Sequence, residues 1–171
     1  MFDWFKKAVH KAVLSEQSTT RLAVSFCLGV YIAFSPFFLM HTWMAIAFSW
    51  LFGLNFAMMF AASFLINNPW TMVPVYLLSY FFGHYFLFYI FNIESCVWNP
   101  TFLNGLNAYL SSTFGIPEFC MTTFFVGGNL LGAIVAFASY PFVKLFFEKT
   151  AIAIQEFKSK KKGLDEDIGS E

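Results

Sequence analysis

Apolar positions in this chain come in long blocks, separated by short polar interruptions that carry proline, glycine or asparagine. Leu22 to Phe34 is apolar and ends at Ser35-Pro36. Phe37 to Phe52 is apolar again, and Gly53 and Asn55 interrupt it. Phe56 to Ile66 follows, then Asn67-Asn68-Pro69-Trp70-Thr71, then a long run from Met72 to Phe91. A polar loop occupies 92–117, with Asn99-Pro100, Asn104-Gly105 and Gly115-Ile116-Pro117. The last apolar block is Phe119 to Phe147, with Pro141 near its end. Each block predicts a helix and each interruption a break.

Block length decides how far each helix reaches. A helix needs about 20 apolar residues to cross a bilayer. Met72 to Phe91 and the stretch from Phe119 to about Tyr140 meet that need. Leu22 to Phe34 and Phe56 to Ile66 supply roughly half a crossing each at 1.5 Å per residue. Two short pieces, each followed by a polar break and a longer piece, predict broken or re-entrant helices. The competing reading is three plain crossings within 22–91, with Pro36 a kink; the paired layout favours re-entry.

The charge pattern names the solvent. From residue 22 to residue 143 there is no lysine or arginine, the only formal charges are Glu94 and Glu118, and the only histidines are His41 and His84. A charged side chain deep in a bilayer costs about 2.5–3.5 kcal/mol on insertion scales. Charged residues are 12% of the chain and hydrophobic ones 58%, with a mean hydropathy of +0.64, so a water-soluble domain and a nucleic-acid partner are both excluded as expectations. Lys6, Lys7, Lys11 and Arg21 precede the apolar region, and Lys144, Lys149, Lys158 and Lys160 to Lys162 follow it. With both ends basic and the 92–117 loop free of Lys and Arg, both termini are expected in the cytoplasm and the loop outside, at a bacterial inner membrane. No small-x-small site follows the first block cleanly, which fits an uncleaved membrane element.

Residues 2–14 place Phe2, Phe5, Val9, Ala12 and Val13 at helical spacing against Lys6, Lys7, His10 and Lys11. That predicts an interfacial amphipathic helix drawn to anionic lipid, or a helix packed on the cytoplasmic face of the domain. Residues 1–20 are thus a cytoplasmic interfacial segment, 21–147 a membrane domain, and 148–171, basic and then acidic, a cytoplasmic tail expected to be disordered. Leu103, Leu106, Leu110 and Phe114 give the outer loop a short amphipathic stretch. Cys27 is expected to be an inert thiol, and Cys96 and Cys120 free thiols, unless an oxidising compartment pairs them.

The densest polar cluster is Asn67-Asn68-Pro69-Trp70-Thr71-Met72-Val73-Pro74, followed by Tyr76, Tyr80 and Gly83. Pro69 and Pro74 each remove a backbone donor, and polar groups released in lipid must find partners. Asn68 is placed to cap a helix with Pro69 at its first position. That helix start could seat an anionic headgroup, or the cap could satisfy itself. At the Pro36 break, Ser35 lies beside His41 and Thr42; the histidine serves a ligand or bonds a neighbouring helix. Asn67, Asn68, Thr71, Ser35 and His41 are therefore the candidate ligand-facing residues, and Pro36, Pro69 and Pro74 the structural breaks. His84 reads as an interfacial anchor, and Gly128 to Gly132 as a close-packing motif with Asn129 beside it. No nucleophile with a base, metal-ligand spacing or Gly-rich phosphate loop is present, so no catalysis, metal or cofactor is expected. Without an internal Arg or Lys, an anion would be held by dipoles and amides alone, which argues against a tight anion site.

The same residues resemble the bacterial membrane family known as domain of unknown function 2062. The likeness runs through Ala23 to Gly29, Pro36, His41-Thr42, Asn55, Asn68-Pro69-Trp70-Thr71-Met72-Val73-Pro74-Val75-Tyr76, and Tyr80 to Gly83, covering about residues 18–145. Leu39 departs from it, standing where relatives have glycine. The resemblance implies an integral inner-membrane protein and brings no established activity. The fold expected is an all-α integral membrane protein with two full transmembrane helices. Its function is expected to be that of a small transporter or lipid-handling protein, or else a non-transporting scaffold or accessory subunit. Membrane lipid, anionic lipid at the basic ends, and a membrane-protein partner or second copy are the expected partners.

Overall fold

A computed structural model describes residues 18–37, 40–92, 101, 104–114 and 120–168, and the described residues are helical with no strand. The helices are α1 (Thr19–Phe34), α2 (His41–Phe52), α3 (Phe56–Ile66), α4 (Pro69–Tyr85), α5 (Asn104–Phe114) and α6 (Met121–Ile168). The expected N-terminal helix, Cys96, Glu94, Glu118 and Leu39 lie outside the described residues.

Each boundary has a local cause. Ser18 opens α1, its Oγ accepting from Arg21 N at 3.3 Å. Ser35 closes it with extended backbone (φ −64°, ψ 136°), as the residue before a proline must, because the α region clashes with the following ring. Gly53 ends α2 at φ 61°, a left-handed conformation that costs glycine nothing. Asn55 opens α3 by accepting from Met58 N at 2.9 Å. Beyond α4 the chain continues as a π-helical turn, Phe86–Ile90, and stops at Asn92, whose φ of 53° is one asparagine tolerates.

α1 is the hub, packed against both α3 and α6. It runs antiparallel to α6: Leu22 meets Phe147, Cys27 Sγ lies 3.7 Å from Ser139 Oγ, the Tyr31 hydroxyl donates to Asn129 Oδ1 at 2.7 Å, and Phe34 lies on Gly128. The pairing brings Leu22, next to Arg21, to the turn of α6 that carries Lys144 and Lys149. Asn129 bonds across helices as expected. Glycines set the close approaches: a Cβ on Gly29 would strike the Met59 carbonyl oxygen, and one on Gly127 would strike that of Ser79. Gly127 therefore seats α4, while Gly128 and Gly132, the expected motif, seat the end of α1.

Among the described residues two helical stretches are long and apolar enough to cross a membrane, Trp70–Ile90 (21 residues, mean hydropathy 1.3) and Met121–Phe157 (37 residues, 1.8). Only 17% and 11% of their apolar windows are buried within the protein. A soluble core helix would hide such a surface, so these faces call for an apolar surrounding. α1, α2 and α3, at 16, 12 and 11 residues, are about 24, 18 and 16 Å long and fall short of a roughly 30 Å hydrocarbon core.

The structure corrects three expectations. Pro74 does not break the chain: α4 runs through it, forgoing one hydrogen bond to the Trp70 carbonyl, a loss membrane helices tolerate. Residues 148–168 continue α6 instead of forming a disordered tail, since Ala151 to Lys162 is rich in helix formers and lacks glycine and proline. Cys120 is disulfide-bonded instead of free, while Cys27 is a free, buried thiol. The amphipathic stretch of the outer loop is α5, whose described side chains are exposed.

Candidate functional site

The breaks between α1 and α2 and between α3 and α4 meet. Ser35 is fully buried, and its carbonyl lies 3.2 Å from His41 Nε2 at the start of α2. From the other break, the Asn67 side chain reaches the same nitrogen at 3.3 Å. Next to them is a cavity of about 280 Å³ whose lining includes the polar residues His41, Thr42, Ser63, Asn67 and Tyr76. Phe60, Phe64 and Met72 complete its wall.

Hydrogen-bond logic orients the Asn67 amide. Only an N–H can bond the Ser35 carbonyl, so His41 carries its proton on Nε2. A carboxamide oxygen facing that N–H then accepts from it, whereas an NH₂ would oppose it. The two ends of a carboxamide have the same shape, and the opposite end of Asn67 is buried without a hydrogen-bond partner of ordinary geometry. Turning the NH₂ to that buried side gives it the Tyr76 hydroxyl, which interacts with the Asn67 side chain. The chain Ser35 carbonyl, His41, Asn67, Tyr76 thus links four segments beside the cavity.

The five predicted residues separate into three roles. His41 and Asn67 line the cavity. Ser35 sits behind it, holding His41 through its carbonyl. Asn68 and Thr71 are spent on the backbone. Asn68 Oδ1 accepts from Trp70 N at 2.9 Å and Thr71 N at 3.1 Å, and its Nδ2 donates to Leu65 O at 3.2 Å, so one amide closes α3 and opens α4. The Thr71 hydroxyl donates to the Ile66 carbonyl. The N–H groups that might have seated an anionic headgroup at this helix start are therefore occupied. Pro36 and Pro69 stand at breaks as expected, Pro69 in the first turn of α4.

Ser63, Thr42 and Tyr76 are site residues the candidate set lacks. Ser63 lies four residues before Asn67 on α3, a spacing that shares a helix face, and that was the available signal. Tyr76 and Thr42 were visible only as neighbours of the polar clusters. His84 is exposed on α4, stacked between Tyr80 and Phe88 at 6.5 and 5.7 Å.

A second cavity of about 740 Å³ lies between α1, the end of α2 and α6, lined by Leu28, Leu54, Ala133, Ala136 and Phe137 among other apolar groups. It offers hydrophobic contact and little chemistry.

A family model described as an uncharacterized protein conserved in bacteria (DUF2062) matches residues 2–153. No curated protein and no solved structure matches the chain.

Proposed function

The chain belongs to this family of uncharacterized bacterial proteins, and from that premise we propose an integral inner-membrane protein that acts as a small transporter or lipid-handling protein through the polar cavity at the Asn67 break. Its short helices α1, α2 and α3 re-enter the membrane around the two breaks, while α4 and the first part of α6 cross it. The shortness of α1, α2 and α3 and the bare apolar faces of α4 and α6 support that arrangement. Both termini face the cytoplasm: Arg21 and the Lys144–Lys149 turn lie at one end of the molecule, where anionic lipid would meet them. The disulfide at Cys120 suits a loop on the oxidising side. Membrane lipid is the surrounding partner, and a second copy or another membrane protein can pack on the exposed apolar faces.

One observation carries the functional reading. Polar groups from α2, α3 and α4 converge on a cavity, and Asn67 is not used up by the backbone around it. A buried polar cluster at a helix break is costly unless satisfied, and paired interrupted segments are where transporters hold their cargo. The test replaces His41 and Asn67 singly with alanine and measures folded yield in detergent and complementation of a deletion strain. Normal yield with lost complementation is expected. Full complementation by both variants overturns the reading.

The alternative, a non-transporting scaffold or accessory subunit, is favoured by Asn68 and Thr71, whose polar groups serve only the helix ends. It predicts that every polar substitution at the breaks lowers yield and phenotype together.

A further inference from the structure

We propose that the cavity at the Asn67 break takes a neutral, hydroxyl-rich group, a sugar or glycerol moiety borne by a membrane lipid or free in solution. The inference rests on reading this cavity as a ligand site and names the class of ligand.

Charge comes first. The lining residues carry one imidazole, one carboxamide, two aliphatic hydroxyls and one phenol, and none of the described lysines, arginines or carboxylates lines the cavity. A phosphate wants donors alone and a cation to offset the cost of leaving water. Here the imidazole Nδ1 is an acceptor, because Nε2 holds the proton, and the backbone N–H groups of Trp70 and Thr71 are already bonded to Asn68. An ammonium group wants a carboxylate, and none is present. A hydroxyl both donates and accepts, as do the Thr42 and Ser63 hydroxyls, so those contacts can form in whichever sense the ligand requires.

Size and shape narrow the class. At about 280 Å³ the cavity lies at the lower edge of ligand pockets, which run from about 300 Å³ upward, and admits one ring or a short polyol but no acyl chains. Phe60 and Phe64, stacked at 6.2 Å with an interplanar angle of 18°, present an apolar wall to the C–H groups that alternate with hydroxyls on such a molecule. The arrangement pairs an apolar face with a ring of neutral hydrogen-bonding groups.

The test uses the full chain in phosphatidylcholine nanodiscs with radiolabelled glucosyl-diacylglycerol as the probe. Unlabelled competitors are the same lipid, phosphatidic acid with the same chains, and methyl glucoside. Saturable binding is expected, weakened about tenfold by Asn67→Ala and about threefold to tenfold by Ser63→Ala and by Thr42→Val, as lost hydrogen bonds of ordinary strength would do. The two conservative hydroxyl variants keep the test valid if the asparagine variant folds poorly. Displacement by methyl glucoside assigns the moiety to a free polyol, and its failure to displace assigns it to the lipid. Absence of saturable binding, displacement by phosphatidic acid as effective as by the glycolipid, or wild-type binding by the Ser63 and Thr42 variants overturns the proposal. If Asn67→Ala folds and loses complementation while the chain binds neither sugar probe, the cavity stands as a site and the polyol class falls. If Asn67→Ala complements fully, the site itself falls.

Discussion

The two polar interruptions that flank α3 use asparagine in opposite ways. At the Gly53–Asn55 break, Asn55 Oδ1 caps Met58 N at 2.9 Å, and its backbone N–H donates at 2.9 Å to Ser25 Oγ, which in turn donates to Arg21 O at 2.7 Å. The fully buried Ser25 thereby pins the start of α3 to the middle of α1. At the Asn67–Thr71 break, Asn68 does the same kind of work for two helices, but Asn67 beside it turns to His41 and the cavity. The difference shows how to separate a structural polar residue from a functional one in an apolar protein. A side chain whose hydrogen-bonding capacity is consumed by nearby backbone is a cap. One that bonds other side chains beside a cavity, and leaves the backbone alone, stands where a ligand can compete for it.

Alanine at the three asparagines puts that contrast on one scale. The largest effect is expected for Asn68→Ala. It removes the acceptor for two N–H groups of α4 and the donor to the Leu65 carbonyl, and neither helix end has water to replace them. Cap loss of about 1 kcal/mol together with exposed backbone groups worth about 1–3 kcal/mol gives roughly 2–4 kcal/mol. The measurement is the shift in unfolding midpoint when SDS is titrated into the detergent-solubilised protein. A shift under a quarter of that size would remove Asn68 from the structural class.

Asn55→Ala follows at about 1–2 kcal/mol, because the cap on Met58 is lost while the backbone bond to Ser25 is kept. Ser25→Ala sharpens the point. It removes only the buried hydroxyl and leaves the Asn55 N–H unpaired, and the same titration is expected to show a loss of about 1–3 kcal/mol. If the alanine variant matched wild type, the anchor between α1 and α3 would lie in the Gly29–Met59 contact alone.

Asn67→Ala reverses the balance between stability and function. It removes side-chain hydrogen bonds to His41 and Tyr76 but no backbone cap, and His41 keeps the Ser35 carbonyl, so the stability loss is expected to be about 1 kcal/mol, below that of Asn68→Ala. Complementation is expected to fail even though the protein accumulates normally. Equal losses in both for Asn67→Ala and Asn68→Ala would erase the distinction between the two residues and favour the scaffold reading.

Much of this was legible in the residues and some was not, for physical reasons. Block lengths and proline placed the two long helices and the breaks at Ser35-Pro36 and Asn67-Asn68, because hydrocarbon allows few alternatives to helix. The cap at Asn68 with Pro69 behind it was readable because capping is local. The partition of the asparagines was not, since it depends on His41, 26 positions away, and on Ser25, 30 positions from Asn55. The contact of Gly83 with Gly127 was equally hidden: each glycine looks ordinary alone, and only the crossing of α4 on α6 gives it meaning. The long extension of α6 was misjudged because charge density was weighed above helix propensity. Pro74 makes no break because a single missing N–H does not end a helix in an apolar surrounding.

Thr42→Val is the smallest and most discriminating change in the series. Thr42 is exposed, stands in the first turn of α2, and shares the cavity wall with Asn67. Valine matches it in shape and differs little in helix propensity, so the substitution exchanges one hydroxyl for a methyl group and disturbs no cap or crossing. A surface change of this kind shifts stability by no more than about 0.5 kcal/mol, too little to alter yield. Any change in phenotype must then come from the cavity. A drop of about threefold in the rescued phenotype, graded between wild type and Asn67→Ala, is what a lost hydrogen bond to cargo produces. A wild-type phenotype for Thr42→Val alongside a lost one for Asn67→Ala would confine the active surface to His41, Ser63, Asn67 and Tyr76.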